Sequence, residues 1–397
     1  MATSHSARGC TLPPRVSVEI DLGALARNYG RIARRVAPLD VVCVLKANAY
    51  GLGVVPYAKT LAEAGCRDFG VAEPREAFQL LDVFRRLPEG RRPRVQILSS
   101  VLPEEIAPAL RAGVALPVCG IQEAAAISAA AAKLRRRARV HLKIDTGMGR
   151  LGIPAAQAEE ATLRIAAMPG LDCEGIFSHC PVAYNPDDPF TARQIAAFAD
   201  LVRRLRARGL RFRSVHIAAS DAINNFPKAA KPPFTAVRTG INLHGSFDPN
   251  GRRALKVEPV LTLKTRVAQV RDLPAGTTLG YGRTWCLAAP SRIATISAGY
   301  ADGLPMALAN RGFVFIHGRR CPIVGRISMD YATVDVTGVP GVAAGDEVVC
   351  FGKCGRDSIT PDDWAAIKGT HAYDILCGLG SRVVRRAVPA GKRQAAD

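Results

Sequence analysis

The chain has no apolar run long enough to cross a bilayer. Its longest, around Ala124 to Ala132, is mostly alanine and far shorter than the roughly 20 residues a spanning helix needs. The N-terminus from Met1 to Pro14 is polar and has no apolar segment of the kind that directs secretion, so residues 1–15 are expected to form a loose tail. Paired cysteine spacing is also missing. The eleven cysteines are scattered and odd in number, with neither a Cys-x-x-Cys pair nor zinc-ribbon spacing, which fits a reducing cytoplasm. Cys350 and Cys354 come nearest to a ligand pair, yet no second pair or histidine cluster completes them, and no metal is expected. Negative charge is scarce: 34 acidic residues face 54 basic ones, a formal net charge of +20. Such a balance raises the question of nucleic acid. The arginines, however, cluster at the ends of amphipathic helical segments, as in Leu134-Arg-Arg-Arg137 and Arg203-Arg-Leu-Arg206, with no aromatic residues interleaved for base stacking. Solvated helix faces explain them, and neither a nucleic-acid nor a membrane partner is expected.

What is present is a rhythm. With 397 residues the chain can build one large domain and a smaller one. From Val41 to about Arg238 a short apolar run, a loop and an amphipathic helical segment recur. Strands are expected at Val41–Leu45, Phe69–Ala72, Val95–Leu98, Leu116–Val118, Arg139–Ile144, Leu171–Phe177, Ser214–Ile217 and Ala236–Arg238. Helices are expected at Pro74–Phe84, Ile121–Arg135, Pro154–Met168 and Pro189–Ala207, several opening on proline, which suits the first helical position. Eight strands alternating with helices indicate an α/β fold of the (β/α)8 barrel type over residues 16–250. Beyond Asp248-Pro-Asn-Gly251, alternating runs such as Leu261 to Lys264 and closely spaced glycines indicate a mainly β domain over residues 251–397.

In such a barrel the working residues follow the strands. Lys46 follows the first, where an amine at the lip of a buried core is partly desolvated and can form a Schiff base. Asp145, Thr146 and Arg150 follow the fifth, His179 the sixth, Ser220 the seventh and Gly240 the eighth. Ser220 and the turn Arg238-Thr-Gly-Ile241 lie where barrels bind phosphate, so together with Lys46 they describe a seat for a phosphorylated aldehyde. A competing reading is a dinucleotide fingerprint, because Gly147-Met-Gly-Arg-Leu-Gly152 matches G-x-G-x-x-G and Asp172 follows twenty residues later. Against it, the loop does not open the sheet, and it carries an arginine where a pyrophosphate would approach.

Four motifs resemble those of the alanine racemase family: Val44-Leu-Lys-Ala-Asn-Ala-Tyr-Gly-Leu-Gly53, Lys143-Ile-Asp-Thr-Gly-Met-Gly-Arg150, Gly299-Tyr-Ala-Asp-Gly303 and Gly325-Arg-Ile-Ser-Met-Asp330. The resemblance runs from about Val16 to Arg386. It implies a cytoplasmic homodimer that uses pyridoxal 5'-phosphate to interconvert L- and D-alanine by a two-base mechanism on the cofactor aldimine, supplying D-alanine for peptidoglycan. By that resemblance Lys46 carries the cofactor and is one base. Tyr281, contributed by the partner subunit, is the base on the opposite face, assisted by His179 and Arg238, with Arg238 donating to the pyridine nitrogen. Arg150 contacts cofactor and substrate carboxylate, and Lys143 matches a lysine that is often carbamylated. Tyr50, Ser220, Gly240, Ile241 and Tyr373 match phosphate contacts, while Tyr300, Met329 and Asp330 match the substrate side. Two departures stand out: His244 where the family has tyrosine, and the ending Gly378-Leu-Gly-Ser-Arg382. The alternatives are a racemase of the same family for serine or a broader set of amino acids, and a pyridoxal-phosphate carrier on a similar barrel.

Overall fold

A computed structural model describes residues 12–388; residues 1–11 of the expected tail lie outside the described residues. All eight expected barrel strands form, each within a residue or so of its expected ends: Asp40–Val44, Asp68–Val71, Arg94–Ile97, Leu116–Val118, Ala138–Asp145, Leu171–Phe177, Ser214–His216 and Ala236–Thr239. They pair in parallel. The first strand lies between the second and the eighth, the third flanks the second, and the fourth to seventh follow in sequence order. Two seams close the ring. Gln96 bridges to Ala115 between the third and fourth strands, and between the seventh and eighth the Thr235 N–H donates to the Val215 carbonyl at 3.0 Å and the Arg238 N–H to the Ala218 carbonyl at 2.9 Å.

The outward faces of these strands are apolar and buried against the helices. Pro189–Ala207 shows why the helices form: Asp188 caps the Phe190 N–H at 2.8 Å, proline takes the first position, and Ile195, Phe198, Leu201, Val202 and Leu205 face the core. The inward face is different. Barrels usually fill this space with branched aliphatic side chains, yet here Asp68, Gln96, His141, Lys143, His216 and Arg238 are all buried. Alternate residues of the fifth strand, Arg139, His141 and Lys143, share that face. Glycine makes room for them: a Cβ on Gly175 would lie 2.4 Å from His141 Nδ1.

The chain leaves the barrel near Gly245 and enters a mainly β region whose longest strand is Leu261–Leu273. Its sheet runs Arg319–Pro322, Phe313–Ile316, Glu347–Cys354, Leu261–Leu273, Ser17–Asp21, Val384–Val388, with Ser291–Ile296 and Ala332–Asp335 extending from the far half of the long strand. Ser17–Asp21, a strand that the sequence analysis did not anticipate, pairs antiparallel with Leu261–Leu273 and parallel with Val384–Val388. Its alternation of buried Val16, Val18 and Ile20 needs a sheet to lie on, and the available edge is in the second domain.

Gly245 marks the crossing point. It has φ +83°, and a Cβ there would lie 2.0 Å from the Glu258 carbonyl oxygen. Gly276 also has φ +83° but faces open space. Both alanine variants carry the backbone cost of about 1–2 kcal/mol, whereas only Gly245→Ala adds the clash. We expect Gly245→Ala to lower the thermal unfolding midpoint clearly more than Gly276→Ala; equal shifts would show that the packing at residue 258 yields freely.

Candidate active site

Lys46 stands just beyond the first barrel strand, and the chain after it does something the sequence reading did not anticipate. Ala47, Asn48, Ala49 and Tyr50 all adopt left-handed backbone, with φ between 52° and 58°. Each such L-residue costs about 1–2 kcal/mol, so the turn exists only because its surroundings hold it. Glu76 accepts the Ala47 N–H with one carboxylate oxygen and the Ala72 N–H, at 2.8 Å, with the other. Asn48 Oδ1 accepts the Val54 N–H at 2.8 Å, and Arg385 donates to the Gly51 carbonyl at 2.9 Å.

This turn delivers Tyr50 to the end of the neighbouring eighth strand. Its ring is buried, edge-on to His244 at 5.0 Å and tilted against Tyr373 at 5.5 Å. A Cβ on Gly240 would lie 2.1 Å from the Tyr50 hydroxyl, so glycine is required for the approach. Ser220 Oγ accepts the Gly240 N–H at 3.1 Å, and the Tyr373 hydroxyl bonds to Ser220 and the Ile241 backbone. Burial raises the pKa of both phenols, which keeps them protonated donors. Asp221, whose charge is felt at Tyr373, is itself pushed up to about 6 by burial. Hydroxyls and backbone amides thus converge on one cradle, a donor set that fits a phosphate group.

Arg238 occupies the centre. Its two terminal nitrogens donate to His216 Nδ1, to His179 Nδ1 at 3.2 Å, and to the carbonyls of Ser178 at 2.8 Å and Ile217 at 3.1 Å. Among the described residues its Nε–H has no acceptor and remains for a ligand. Burial lowers the guanidinium pKa to about 10, and the group keeps its proton at neutral pH. Burial, then the Arg238 charge, lower His179 to about 3, so its imidazole is neutral. The amines respond alike. Burial, with Arg150 beside them, lowers Lys46 and brings Lys143 to about 8. Lys143 donates to the Leu98 carbonyl at 2.9 Å, and Arg150 and Arg238 both act on Lys46, Lys143 and His179.

The glycine-rich loop does not offer its amides to a ligand. Asp145 accepts the N–H groups of Gly147 at 2.8 Å, Met148 at 2.7 Å and Gly149 at 2.9 Å, which removes the donors a pyrophosphate would need. The remaining candidates sit on the β domain. The Tyr300 N–H donates to the Ser328 carbonyl at 3.0 Å, and Asp330 pairs with Arg382 at 2.7 Å. Tyr281 is 73% exposed. It lines a cavity of about 350 Å³ with Gly280, Arg326, Ser328 and Tyr331. Among the described hydrogen bonds and ion pairs, none joins Tyr281, Tyr300 or Met329 to Lys46 of the same chain.

Family models for the alanine racemase N-terminal and C-terminal domains match residues 20–248 and 260–387. The chain belongs to the alanine racemase family. It is 39% identical to the alanine racemase of Syntrophobacter fumaroxidans over 91% of this chain and 95% of that one. It is 38% identical to that of Chlorobaculum tepidum over 98% and 100%. The crystal structure of alanine racemase from D-cycloserine-producing Streptomyces lavendulae superposes with a TM-score of 0.87 at 32% identity, covering 95% of this chain and 98% of that one. The Bartonella henselae alanine racemase with covalently bound pyridoxal phosphate gives 0.83 at 30% identity, covering 95% and 100%.

Within this alanine racemase framework, two residues that no motif singled out shape the site. Glu76 lies in a helix whose carboxylate would read as solvated from sequence, and His216 lies in a barrel strand one layer below Arg238. The departure at His244 is a packing exchange: its Nδ1 meets the Tyr57 hydroxyl at 3.0 Å, and burial lowers it to about 3.

Removing the Glu76 carboxylate strands two amides. Glu76→Ala should destabilise the protein by about 2–4 kcal/mol and lower turnover more than it weakens substrate binding, measured by unfolding and by steady-state kinetics. Because His179 is lowered to about 3, it stays neutral above that value. Its ring resonances should therefore not move between roughly pH 5 and pH 9, and a titration in that interval would contradict the buried contact with Arg238.

Proposed function

We propose that this chain is a cytoplasmic pyridoxal-phosphate-dependent alanine racemase, an isomerase that interconverts L- and D-alanine as a homodimer with shared active sites, supplying D-alanine for peptidoglycan. The observation that carries the reading is the pairing, at one barrel mouth, of a lysine of lowered pKa with a donor cradle for phosphate, on a chain related to alanine racemases along nearly its whole length. When bound, the cofactor ring supplies the electron sink that acidifies the substrate α-carbon.

Every other task belongs to side chains. The Tyr50 and Tyr373 hydroxyls, Ser220 and the amides of Gly240 and Ile241 hold the phosphate. Arg238 Nε donates to the ring nitrogen without transferring its proton, as befits a guanidinium near 10. Lys46 Nζ takes or returns the α-proton on one face; its lowered pKa raises the fraction of free amine at neutral pH. Tyr281 Oη of the partner does so on the other, with neutral His179 as its hydrogen-bond neighbour. Arg150 holds the substrate carboxylate, with Tyr300, Met329 and Asp330 on the substrate side. Lys143 is the carbamylation site: its neutral Nζ adds carbon dioxide with loss of a proton, and the resulting anion turns repulsion from Arg150 into attraction.

A shared site is supported by the exposure of Tyr281, Tyr300, Met306, Met329 and Tyr331, large side chains gathered on one domain. Membership of an intracellular pathway fits a chain in which, among the described residues, no helix is long and apolar enough to cross a membrane.

Lys46→Ala should abolish the borohydride-reducible chromophore and solvent deuterium exchange into alanine, and a surviving chromophore would refute the cofactor assignment. Tyr281→Phe should keep the chromophore while slowing exchange at the α-carbon of one enantiomer far more than the other. Mixing and reassociating the two inactive homodimers should recover about a quarter of wild-type activity, because half of randomly assorted dimers are mixed and each holds one intact site. No recovery would place both bases in one chain. Turnover of serine measured beside alanine tests the breadth of the substrate pocket.

A further inference from the structure

Arg238 is a buried cation with no carboxylate among its partners, which are two imidazoles and backbone carbonyls. A buried charge without compensation is costly, and the barrel interior beneath it holds an unusual pair. His216 Nε2 and His141 Nδ1 are both fully buried and, among the described residues, both lack a hydrogen-bond partner. Their ring centres are 6.2 Å apart.

The protonation of each ring follows from its other nitrogen. Arginine can only donate, so His216 Nδ1, which faces Arg238, is an acceptor, and the neutral ring carries its proton on Nε2. That ring is neutral because burial, and then Arg238, lower its pKa well below the usual value. On the far side, His141 Nε2 lies 3.6 Å from Glu174. Burial opposes ionisation of Glu174, yet the His141 ring beside it and the hydrogen bond from Arg213 at 2.8 Å hold it at about 2, so it is an anion. A neutral His141 therefore carries its proton on Nε2, the nitrogen that faces Glu174, and its Nδ1 is left as an acceptor. The two orphaned atoms are complementary: one is a donor and the other an acceptor.

We propose that His216 Nε2–H donates to His141 Nδ1 through one water, completing a one-way chain from Arg238 through His216 and His141 to Glu174. A direct bond between imidazoles brings ring centres to about 5 Å and a one-water bridge to about 7 Å; the observed separation is too long for the first. Gly175 is what admits His141 to this position, since the two are register partners and any side chain at Gly175 would displace the ring. Glu174, itself paired with Arg213 at 2.8 Å and Arg139 at 3.7 Å, thereby anchors the far end of the chain. His141 is a positioning residue, acting through His216 on the guanidinium that faces the cofactor ring. Hydrogen bonds in such a chain polarise one another, so the anion at one end strengthens acceptance of the Arg238 N–H at the other.

The role assigned to His141 rests on Arg238 being the ring-nitrogen contact, and the test separates the two. Nitrogen-15 spectra of the histidine-labelled holoenzyme, which has seven histidines, read tautomers without reference to activity. His216 and His141 should both carry their single proton on Nε2, with His141 Nδ1 shifted as a hydrogen-bond acceptor. A proton on His141 Nδ1, alone or in a doubly protonated ring, would overturn the chain. In kinetics, His141→Phe should lower kcat by about tenfold with little change in KM and shift the absorbance of the bound cofactor. His141→Gln keeps an acceptor for His216 and a donor for Glu174, and should restore both. Equal losses in the two variants, or none in the phenylalanine variant, would reduce His141 to a packing residue. If instead Arg238→Lys left the cofactor absorbance unchanged, the reading of Arg238 would fail while the tautomers stood.

Discussion

The left-handed turn from Ala47 to Tyr50 is the constraint on which the site depends. Four consecutive L-residues in that conformation represent about 4–8 kcal/mol of backbone cost, a sum comparable to the net stability of many whole domains. It is tolerated because everything around it is committed: Glu76 on two amides, Asn48 on a third, Arg385 on the Gly51 carbonyl, and the Tyr50 ring enclosed by His244 and Tyr373. The return is geometric. Within five residues the chain presents Lys46 to the barrel mouth and sets the Tyr50 hydroxyl against Gly240. The second domain takes part directly, since Arg385 belongs to the strand beside Ser17–Asp21, and barrel and sheet must both be folded before the lysine is placed.

Electrostatics follow from the same packing. Arg150 and Arg238 both act on Lys46 and Lys143, while the carboxylates of Glu76 and Asp145 are occupied by backbone amides. Burial first, and then this positive charge, lower the amines and keep His179 neutral. A site built this way suits anions, and on the proposed function the same cations that would bind a phosphate and a carboxylate also set the protonation of the amines beside them.

What the sequence revealed and what it hid divide along physical lines. The eight barrel strands were legible because short runs rich in apolar residues, continuous in Val41–Leu45 and alternating with polar ones in Arg139–Ile144, recur between helical segments, and helices such as Pro74–Phe84 and Pro189–Ala207 were legible from proline and amphipathic spacing. The Ser17–Asp21 strand was not foreseen because its partners lie more than 240 residues away, and nothing local encodes a distant edge. The left-handed turn was invisible because Ala, Asn, Ala and Tyr carry no signature of it; tertiary contacts impose it. The G-x-G-x-x-G match, set aside on its position in the sheet, fails for a further reason: the pattern records glycine conformations, whereas the user of the amides, Asp145, stands two residues before the first glycine. The polar barrel interior escaped notice for a related reason. His141 and His216 sit in strands whose neighbours are apolar, and only the alternation of faces shows that they share one space with Arg238.

That interior explains why this barrel departs from the aliphatic layers usual for its shape. An aliphatic layer beneath Arg238 would leave a guanidinium with carbonyls alone to balance its charge. Substituting imidazoles, with Gly175 cut back to admit one of them, lets a carboxylate near the opposite end of the barrel act on the arginine without approaching it. A carboxylate in direct contact would hold the guanidinium more tightly, but it would also compete for the donors that a ring nitrogen needs. Placing the anion two imidazoles away keeps Arg238 charged and oriented while, among the described residues, its Nε–H stays free for the ring-nitrogen contact proposed for it.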